Sequence, residues 1–245
     1  MKKALSILLA SIILITSFSS AFALDISTNA DVATGTDAIN PEPGAEPEPS
    51  KTLYDQFYEE FSKSETARIK FSTTDYVMGF IPYTIYCDIS CDKGDIAATV
   101  QRGMVKAHII IKDGILSGYF PLAPICYFKY ASPSFQNEQI TPQTIFSYLL
   151  LIALAEHLFT DIEPIGTYEK TSFEKTYKVE EYKSGENFVV RYEFSENQLV
   201  AVETENIHDK DTLKRYEFEI SYDTDKSDFK LPFYSFIDIT PILYF

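Results

Sequence analysis

The chain has 245 residues, of which 45% are hydrophobic and 15% aromatic, and 36 acidic against 21 basic side chains give a formal charge of -15. The apolar fraction excludes a disordered or collagenous protein over most of the length, and three cysteines exclude a disulfide scaffold. The acidic balance argues against nucleic acid and anionic membrane surfaces as partners, because both are bound through clustered Lys and Arg.

The first 23 residues have the pattern of a secretory signal peptide. Lys2 and Lys3 precede an apolar run at 4–15, and a small-x-small cleavage site ends at Ala23. The run is shorter than the about 20 apolar residues that span a bilayer, so cleavage is expected rather than a retained anchor. The sequence therefore predicts a secreted or extracytoplasmic protein, at the cell surface or in the periplasm, without stable membrane insertion after cleavage.

Residues 24–50 differ in composition from the rest of the chain. They hold six acids, no Lys or Arg, and four prolines between 41 and 49. Such a segment buries too little apolar area to offset its ordering entropy, so it is predicted to be a disordered acidic spacer. Residues 51–245 are predicted to form one β-rich domain.

The domain begins with a predicted short helix, capped at Ser50 or Thr52, and continues with strands of period-two alternation. Turns at Lys93-Gly94, Arg102-Gly103 and Asp113-Gly114 divide this part into hairpins that keep one apolar face continuous. The predicted cross-strand pairs on that face are Cys91 with Ile96, Ile89 with Ala98, Cys87 with Val100, Val100 with Val105, Ala98 with Ala107, Ile96 with Ile109, Ile111 with Leu116, Ile109 with Gly118, and Ala107 with Phe120.

Three small residues stand out on this face, namely Ala98, Ala107 and Gly118. Small side chains in a sheet leave room for something to approach closely. One interpretation is that a helix backbone packs there, as close-packed interiors require. The other is that a ligand lies there.

A helix is predicted at 145–159, behind a cap at Thr141 and Pro142 in the first turn. It is apolar nearly all round and too short to span a membrane. It is therefore either a buried helix or a lid with a second apolar face that meets a ligand.

The second half of the domain returns to strands. A turn at Ser184-Gly185 would pair Val179 with Val190 and Tyr177 with Tyr192, whereas the register of 199–205 is ambiguous because four apolar residues follow one another. The aromatic tail 233–245 is predicted to pack on the sheet. The whole pattern predicts an α+β fold, in which a curved antiparallel sheet of about 10–11 strands forms an incomplete, open β-barrel with helices covering its concave face.

The order of elements resembles the LolA-like lipoprotein-carrier superfamily, including its LppX/LprAFG relatives. The resemblance covers about 52–235 and is clearest in TYKVEEYKSGENFVVRYEFSENQLVAVE and SYDTDKSDFKLP. It implies an open barrel whose apolar concave face holds acyl chains. Carried over to this chain, it makes the following residues candidates for lining the cavity: Ile89, Ala98, Ala107, Ile109, Gly118, Phe120, Leu150 and Leu154. Carriers of this family hold the lid with an inward arginine, whereas alternation places Arg68 and Arg191 on the outer face.

No motif for catalysis is present. The three histidines, His108, His157 and His208, have no nucleophile at motif spacing, so the protein is predicted not to be an enzyme. The acidic turn at 223–228 lacks the glycine and the final carboxylate of a calcium-binding EF-hand loop, so a solvated turn is expected there. No cofactor and no metal site are predicted.

The cysteines are interpreted as buried thiols. Cys87 and Cys91 lie on one face of one strand, about 13 Å apart, which exceeds the reach of a disulfide. Cys126 lies several strands away. Three free thiols are favoured over one disulfide with a spare cysteine.

Two functions remain open from the sequence. The first is an exported, non-catalytic binding module for an acyl chain or a lipidated molecule, either as a carrier or as a sensor. The alternative is a structural or protein-interaction domain at the cell surface, with a filled core, no ligand and a cell-surface protein as partner.

Overall fold

The computed structural model describes residues 51–77, 81–119, 127–131, 140–155, 162–172, 174–231 and 236–239. The predicted signal peptide and spacer at 1–50 lie outside these residues, as do Phe120, Cys126 and His157. No helix in the described part is both long enough and apolar enough to cross a bilayer.

Two helices and 12 strands make up the described part of the domain. The helices are α1 (Leu53–Phe61) and α2 (Pro142–Ala153). The strands are β1 (Thr66–Val77), β2 (Ile81–Asp92), β3 (Asp95–Arg102), β4 (Val105–Lys112), β5 (Ile115–Tyr119), β6 (Phe128–Ala131), β7 (Ile162–Ser172), β8 (Lys175–Ser184), β9 (Phe188–Ser195), β10 (Gln198–Asn206), β11 (Asp209–Ser221) and β12 (Ile237–Asp238).

All these strands belong to one sheet in the order β12-β6-β5-β4-β3-β2-β1-β11-β10-β9-β8-β7. The pairing is antiparallel except between β12 and β6, which run parallel. The end strands β12 and β7 are not paired with each other, so the curved sheet stays unclosed in the described part of the chain. This confirms the predicted α+β class and open barrel; the prediction of 10–11 strands was low because the short β12 was not foreseen.

Turn chemistry decides the registers of the three hairpins formed by β2, β3, β4 and β5. At Lys93-Gly94 and Asp113-Gly114 both turn residues have positive φ, as a type I′ turn requires, and the pairs Ile89–Ala98 and Ile109–Gly118 are confirmed. The β3–β4 hairpin differs from the prediction, because its turn is Gly103-Met104 with Gly103 in the first position at φ +55. Glycine in that position is typical of a type II′ turn.

The corrected β3–β4 register is shifted by two residues. Ala98 therefore pairs with Ile109 rather than with Ala107, and Ala107 pairs with Val100. A shift of two leaves every side chain on its predicted face, since strand side chains alternate with period two. The predicted pair of Ala107 with Phe120 lies outside the described residues.

The β8–β9 hairpin also departs from the prediction. Three residues, 185–187, form its loop, so that Ser184 pairs with Phe188. The predicted pair of Val179 with Val190 is therefore wrong. The observed register differs from the predicted one by three residues, an odd number, so the opposite set of β8 side chains lies on the concave face. Glu180 now shares the concave face with Tyr192, and Val179 faces outward beside Glu193.

A β-bulge at Val200 resolves the ambiguous register of β10. Leu199 pairs with Phe194 and Ala201 with Glu193, which leaves Val200 without a partner between them. The bulge lets Leu199 and Val202 both enter the core, where both are fully buried.

One hydrophobic core lies between the concave face and the two helices. Phe57 and Phe61 of α1 contact the ring of Phe146 of α2 edge-on, with ring centroids 5.4 and 5.3 Å apart. Thr52 caps α1 in a capping box with Asp55. Helix α2 ends earlier than predicted and is one-sided, since Leu151 is 41% exposed.

The chain that follows β11 crosses the outer face of the sheet. Phe229 packs there on Ala97 and Ile110, and the Asp228 carboxylate accepts a hydrogen bond of 2.7 Å from the Ser90 hydroxyl. The predicted solvated turn is thus correct for the exposed Asp225 but wrong for Asp228. At 236–239 the tail packs on the sheet, as predicted, where the Ile237 and Ile239 amides donate to β6 and the residue before it.

Candidate functional site

Four predicted site residues form one row across the concave face. Ile89 pairs with Ala98, Ala98 with Ile109 and Ile109 with Gly118, so the row runs from β2 to β5. Ala107 lies in the neighbouring row. From α2, Leu150 is buried in the same core and Leu154 is partly buried against it. Phe120 lies outside the described residues.

The small residues of this face are not adjacent to one another. Ala98 and Gly118 lie on either side of Ile109. Gly118 is covered by the ring of its cross-strand neighbour Phe128, and a Cβ at Gly118 would lie 2.4 Å from the tip of that ring. An aromatic ring that covers a strand glycine replaces the missing side chain. At Gly118, therefore, the room left by the small residue is taken by Phe128.

The rest of the row and the neighbouring Ala107 are also closely covered. Relative exposures are 1% at Ile89, 3% at Ala98 and Ala107, and 4% at Ile109. Phe146, Leu149 and Leu150 of α2 belong to the same buried cluster. A ligand on this face must therefore take the place of side chains that already fill it.

The two helices are held in different ways. The backbone amides of Leu53 and Tyr54 in α1 donate to the two carboxylate oxygens of Glu180, at 2.5 and 3.1 Å. A carboxylate at a helix N-terminus satisfies free N–H groups and interacts favourably with the helix dipole. Tyr182 donates to the same carboxylate at 3.2 Å. Helix α1 is thus anchored to β8 by a buried charge.

Helix α2 lacks an anchor of this kind. In the described part of the chain, its one side-chain hydrogen bond to another element joins Gln143 to the Tyr58 hydroxyl of α1, at 2.8 Å. The Cys91 thiol donates to the carbonyl of Ile140, which precedes the helix. Apolar contact with the sheet, through the buried side chains Ile145, Phe146, Leu149, Leu150 and Ala153, holds α2 in place.

A cation lies at the far end of the concave face. Arg102 is two residues beyond the buried Val100 and pairs with Ile85, so alternation places it on this face. Its Nη2 donates to the Tyr83 hydroxyl at 2.9 Å, and its guanidinium carbon lies 4.7 Å from the centre of the Tyr83 ring. Arg68 and Arg191 lie on the outer face, as predicted, where Arg68 is bidentate to Asp88 and Arg191 bonds Glu181 and Glu205.

The outer face of the second half carries a buried ionic network that the sequence analysis missed. Glu193 bonds Lys170 at 2.5 Å and Arg215 at 2.8 Å, and Arg215 also bonds Glu203. Burial alone lowers the pKa of Lys170, but its bond to Glu193 and the nearby charges raise that pKa overall. Opposite charges that alternation places on one face of β9, β10 and β11 were the signal for this network.

The imidazole of His108, a side chain that could take part in catalysis, has structural partners. His108 lies on the outer face, where it shares a 2.9 Å hydrogen bond with Thr99 and stacks on Tyr119. Burial and then the charge of Lys106 lower the pKa of His108. Among the described residues, no carboxylate bonds its other ring nitrogen, and no group of three His, Cys, Asp or Glu could hold a metal ion.

Cys87 and Cys91 are free and buried, as predicted. Burial raises the pKa of the Cys87 thiol to about 12 and that of Cys91 to about 11. Cys126 lies outside the described residues.

No protein-family model and no curated protein sequence matches the chain. Similar solved structures include the MucA/MucB complex of Pseudomonas aeruginosa, with a TM-score of 0.38 and 9% identity over 74% of this chain and 60% of that one. A LolA superfamily protein from Nitrosomonas europaea has a TM-score of 0.27 and 9% identity, over 72% of this chain and 96% of that one. A lipoprotein-sorting protein domain from Vibrio parahaemolyticus has a TM-score of 0.27 and 9% identity, over 71% and 95%.

LolA superfamily proteins are thus among the structures similar to this chain, as the sequence resemblance implied. The present protein spans about 60% of the length of the chain that it matches in the MucA/MucB complex. Because the TM-scores are below 0.5, these similarities give no information about a ligand or a partner of this protein.

Proposed function

We propose that the protein is an exported, non-catalytic binding module that holds an acyl chain, of a lipid or a lipidated molecule, against its concave face. The observation that carries the proposal is the way in which α2 covers this face. Six side chains of α2 are buried, yet in the described part of the chain no hydrogen bond joins the helix to a strand.

An acyl chain can replace such a helix face at small cost. Apolar area is favourable to bury whichever apolar group covers it, at about 25 cal/mol per Å². Among the described residues, displacing α2 puts at risk only the weak hydrogen bond from the Cys91 thiol to Ile140, whereas displacing α1 would leave the buried Glu180 carboxylate without its two amide donors. We therefore expect an acyl chain to displace α2 rather than α1.

The proposed binding site is built from the concave row and from α2. Its residues are Ile89, Ala98, Ala107, Ile109, Gly118, Phe120, Leu150 and Leu154. A carrier and a sensor would both use this site. An extracytoplasmic location follows from the predicted signal peptide.

A second candidate function rests on the close covering of the same face. Phe128 fills the space at Gly118, and the row is almost completely buried. These observations favour a structural or protein-interaction domain at the cell surface, with a protein partner and no lipid ligand. The two functions differ in whether the concave face opens to admit a lipid ligand.

Uptake of a fluorescent fatty acid, cis-parinaric acid, tests the proposal. We expect the wild-type protein to bind it and Ala107→Phe to weaken binding roughly tenfold or more, because the added ring occupies the acyl path. Lys106→Phe is the matched control, since the neighbouring Lys106 is exposed on the outer face. Wild-type protein that takes up no fatty acid would support the filled-core domain, and unchanged binding by Ala107→Phe would move the site elsewhere.

A further inference from the structure

A polar pocket lies on the outer face of the sheet, where the tail that follows β11 crosses it. Its volume is about 220 Å³. Asp88, Thr99 and His108 pair in succession across β2, β3 and β4, and these half-buried side chains form the floor of the pocket. Arg68 of β1 lines one side of it, and the tail lines another.

The tail leaves this floor partly open because it is fixed to the neighbouring row of the sheet. Phe229 packs on the paired residues Ala97 and Ile110. The Asp228 carboxylate accepts from the hydroxyl of Ser90, which is the β2 neighbour of Ala97. Ser90 and Phe229 are both buried, so the tail side of the pocket is held by buried contacts.

The polar groups around the floor retain hydrogen-bonding capacity. Arg68 donates through Nε and Nη2 to Asp88, whereas its Nη1 lies 3.7 Å from Oδ2 of Asp228, too far for a hydrogen bond. Among the described residues, Oδ1 of Asp228, Nε2 of His108 and the ammonium of Lys230 have no hydrogen-bond partner. Donors and acceptors thus alternate around the pocket.

The charges that line the pocket cancel. Two carboxylates and two cations line it, at Asp88, Asp228, Arg68 and Lys230. His108 adds no charge at neutral pH, because burial, the larger cause, and a nearby lysine lower its pKa. An anionic ligand would lie against the carboxylates and a cationic one against the two cations, and like charges in contact are repulsive. The lining therefore favours a neutral ligand.

Hydroxyl groups match such a lining, because each one both donates and accepts hydrogen bonds. A hydroxyl between Nη1 of Arg68 and the Asp228 carboxylate can accept from the first and donate to the second, which bridges a gap too long for a direct bond. The Thr99 hydroxyl and the His108 ring, 2.9 Å apart, also offer both donors and acceptors. The pocket is smaller than the about 300–1,000 Å³ of sites for drug-sized ligands, so its ligand is small.

We infer that this pocket binds one neutral sugar ring, whose hydroxyl groups bridge Arg68 and Asp228 and contact Thr99 and His108. A sugar ring carries several hydroxyls in fixed positions, and it therefore matches donors and acceptors that the fold holds in place. The pocket lies on the opposite side of the sheet from the concave face. The inference thus goes beyond the proposed function and does not depend on it.

Titration of the protein with sugars, followed by saturation-transfer difference NMR, tests the inference. The neutral probes are the methyl glycosides of glucose, galactose and mannose. Glucosamine and glucuronate, which share the ring of glucose, are the cationic and anionic counterparts. Each probe is titrated into the wild-type protein, Asp228→Asn and Asp223→Asn. Asp223→Asn is the matched control, because it neutralises an exposed carboxylate of the same tail outside the pocket.

We expect at least one neutral probe to bind, and to bind more tightly than the two charged probes. Asp228→Asn should weaken its binding about tenfold, because the charged acceptor is lost, whereas Asp223→Asn should leave it unchanged. Uptake of cis-parinaric acid should be the same in all three proteins, which separates this pocket from the proposed acyl site. Sugar binding without uptake of cis-parinaric acid would leave this inference standing and contradict the proposed function alone.

Should Asp228→Asn fold poorly, Thr99→Val replaces it, since valine keeps the shape of threonine and removes only the hydroxyl. A severalfold loss of affinity for the neutral probe is then expected. The inference is overturned if no neutral probe binds the wild-type protein, or if a charged probe binds more tightly than all the neutral ones. Affinity for the neutral probe that is unchanged in both Asp228→Asn and Thr99→Val would overturn it as well, because the sugar would then bind elsewhere.

Discussion

Glu180 shows how much one residue can contribute to this fold. Its carboxylate is buried on the concave face and accepts the first two backbone amides of α1. The predicted register of β8 against β9 was three residues off, an odd number that put Glu180 on the wrong face and so gave it no role. Alternation alone could not find it, because the N-terminus of α1 lies more than a hundred residues away in the chain.

Glu180→Gln should reduce the free energy of unfolding by about 1.5–3 kcal/mol, the range for hydrogen bonds to a charged group. Urea unfolding followed by circular dichroism measures the loss. The control is Glu181→Gln on the outer face, which should cost clearly less because Arg191 keeps its bond to Glu205. Equal losses of unfolding free energy in the two variants would show that the hydrogen bonds of Glu180 to α1 contribute no more than an ion pair on the outer face.

Gly118 and Phe128 should be energetically coupled. Gly118→Ala places a methyl group against the Phe128 ring and should cost about 1–3 kcal/mol, as overpacking does. In a Phe128→Ala background the same substitution should cost nothing, because the clashing ring is gone. A double-mutant cycle by urea unfolding measures this coupling, and additive effects would contradict the ring cover.

Asp88 should make stability depend on acid pH. Burial opposes its charge, but the hydrogen bonds and charge of Arg68 outweigh that effect and lower the pKa of Asp88 below 3.8. A carboxylate with a lowered folded-state pKa stabilises the fold above its unfolded pKa, and this contribution disappears as the pH falls through the folded value.

Wild-type protein should therefore exceed Asp88→Asn in stability by a constant amount near neutral pH. The difference should shrink below about pH 5 and vanish at the lowest pH. Urea midpoints of both proteins at several pH values test this. A difference that is independent of pH would mean that the ion pair with Arg68 contributes nothing to folding.

At the level of elements, turn chemistry explains what could be predicted. The Asp113-Gly114 and Lys93-Gly94 hairpins have glycine second in a two-residue turn, and both registers were predicted correctly. In the third hairpin glycine comes first, which the sequence Arg102-Gly103-Met104 leaves open. Likewise, nothing in four consecutive apolar residues marks Val200 as the bulge.

The tail that crosses the outer face forms an element of its own. No local pattern shows that Phe229 meets Ala97 and Ile110, because these contacts join distant parts of the chain. Its anchors are Phe229, Asp228 and the amides of Ile237 and Ile239.

Phe229→Ala should release this tail from the sheet. We expect hydrogen exchange to quicken at the Ile237 and Ile239 amides, since Phe229 holds the chain that leads to them, while the β1–β2 amides remain protected. Hydrogen exchange with mass spectrometry measures both regions. Leu231→Ala, at an exposed side chain of the same segment, is the control. Unchanged exchange at 237 and 239 would mean that β12 holds the tail without Phe229.

At the level of the whole molecule, the open sheet was predictable because its apolar face continues through the hairpins from β2 to β5. The error of two residues in the β3–β4 register left that face intact, and the error of three residues between β8 and β9 inverted the faces of one strand only, so the fold class survived both. That helices cover this face was predicted, whereas how closely they cover it was not, because an apolar surface on α2 does not show which side chains lie beneath it. Four of the candidate site residues came together in one row, yet that row is already buried, with the Phe128 ring over Gly118.

Native mass spectrometry of residues 24–245, purified without detergent and with added oleate, tests most directly whether the concave face opens to an acyl chain. We expect a stoichiometric adduct that solvent extraction releases as fatty acid or lipid, and its loss in Ala107→Phe. A bare mass for the wild-type chain, before and after addition of oleate, would contradict the proposal and identify the domain as one with a permanently filled core.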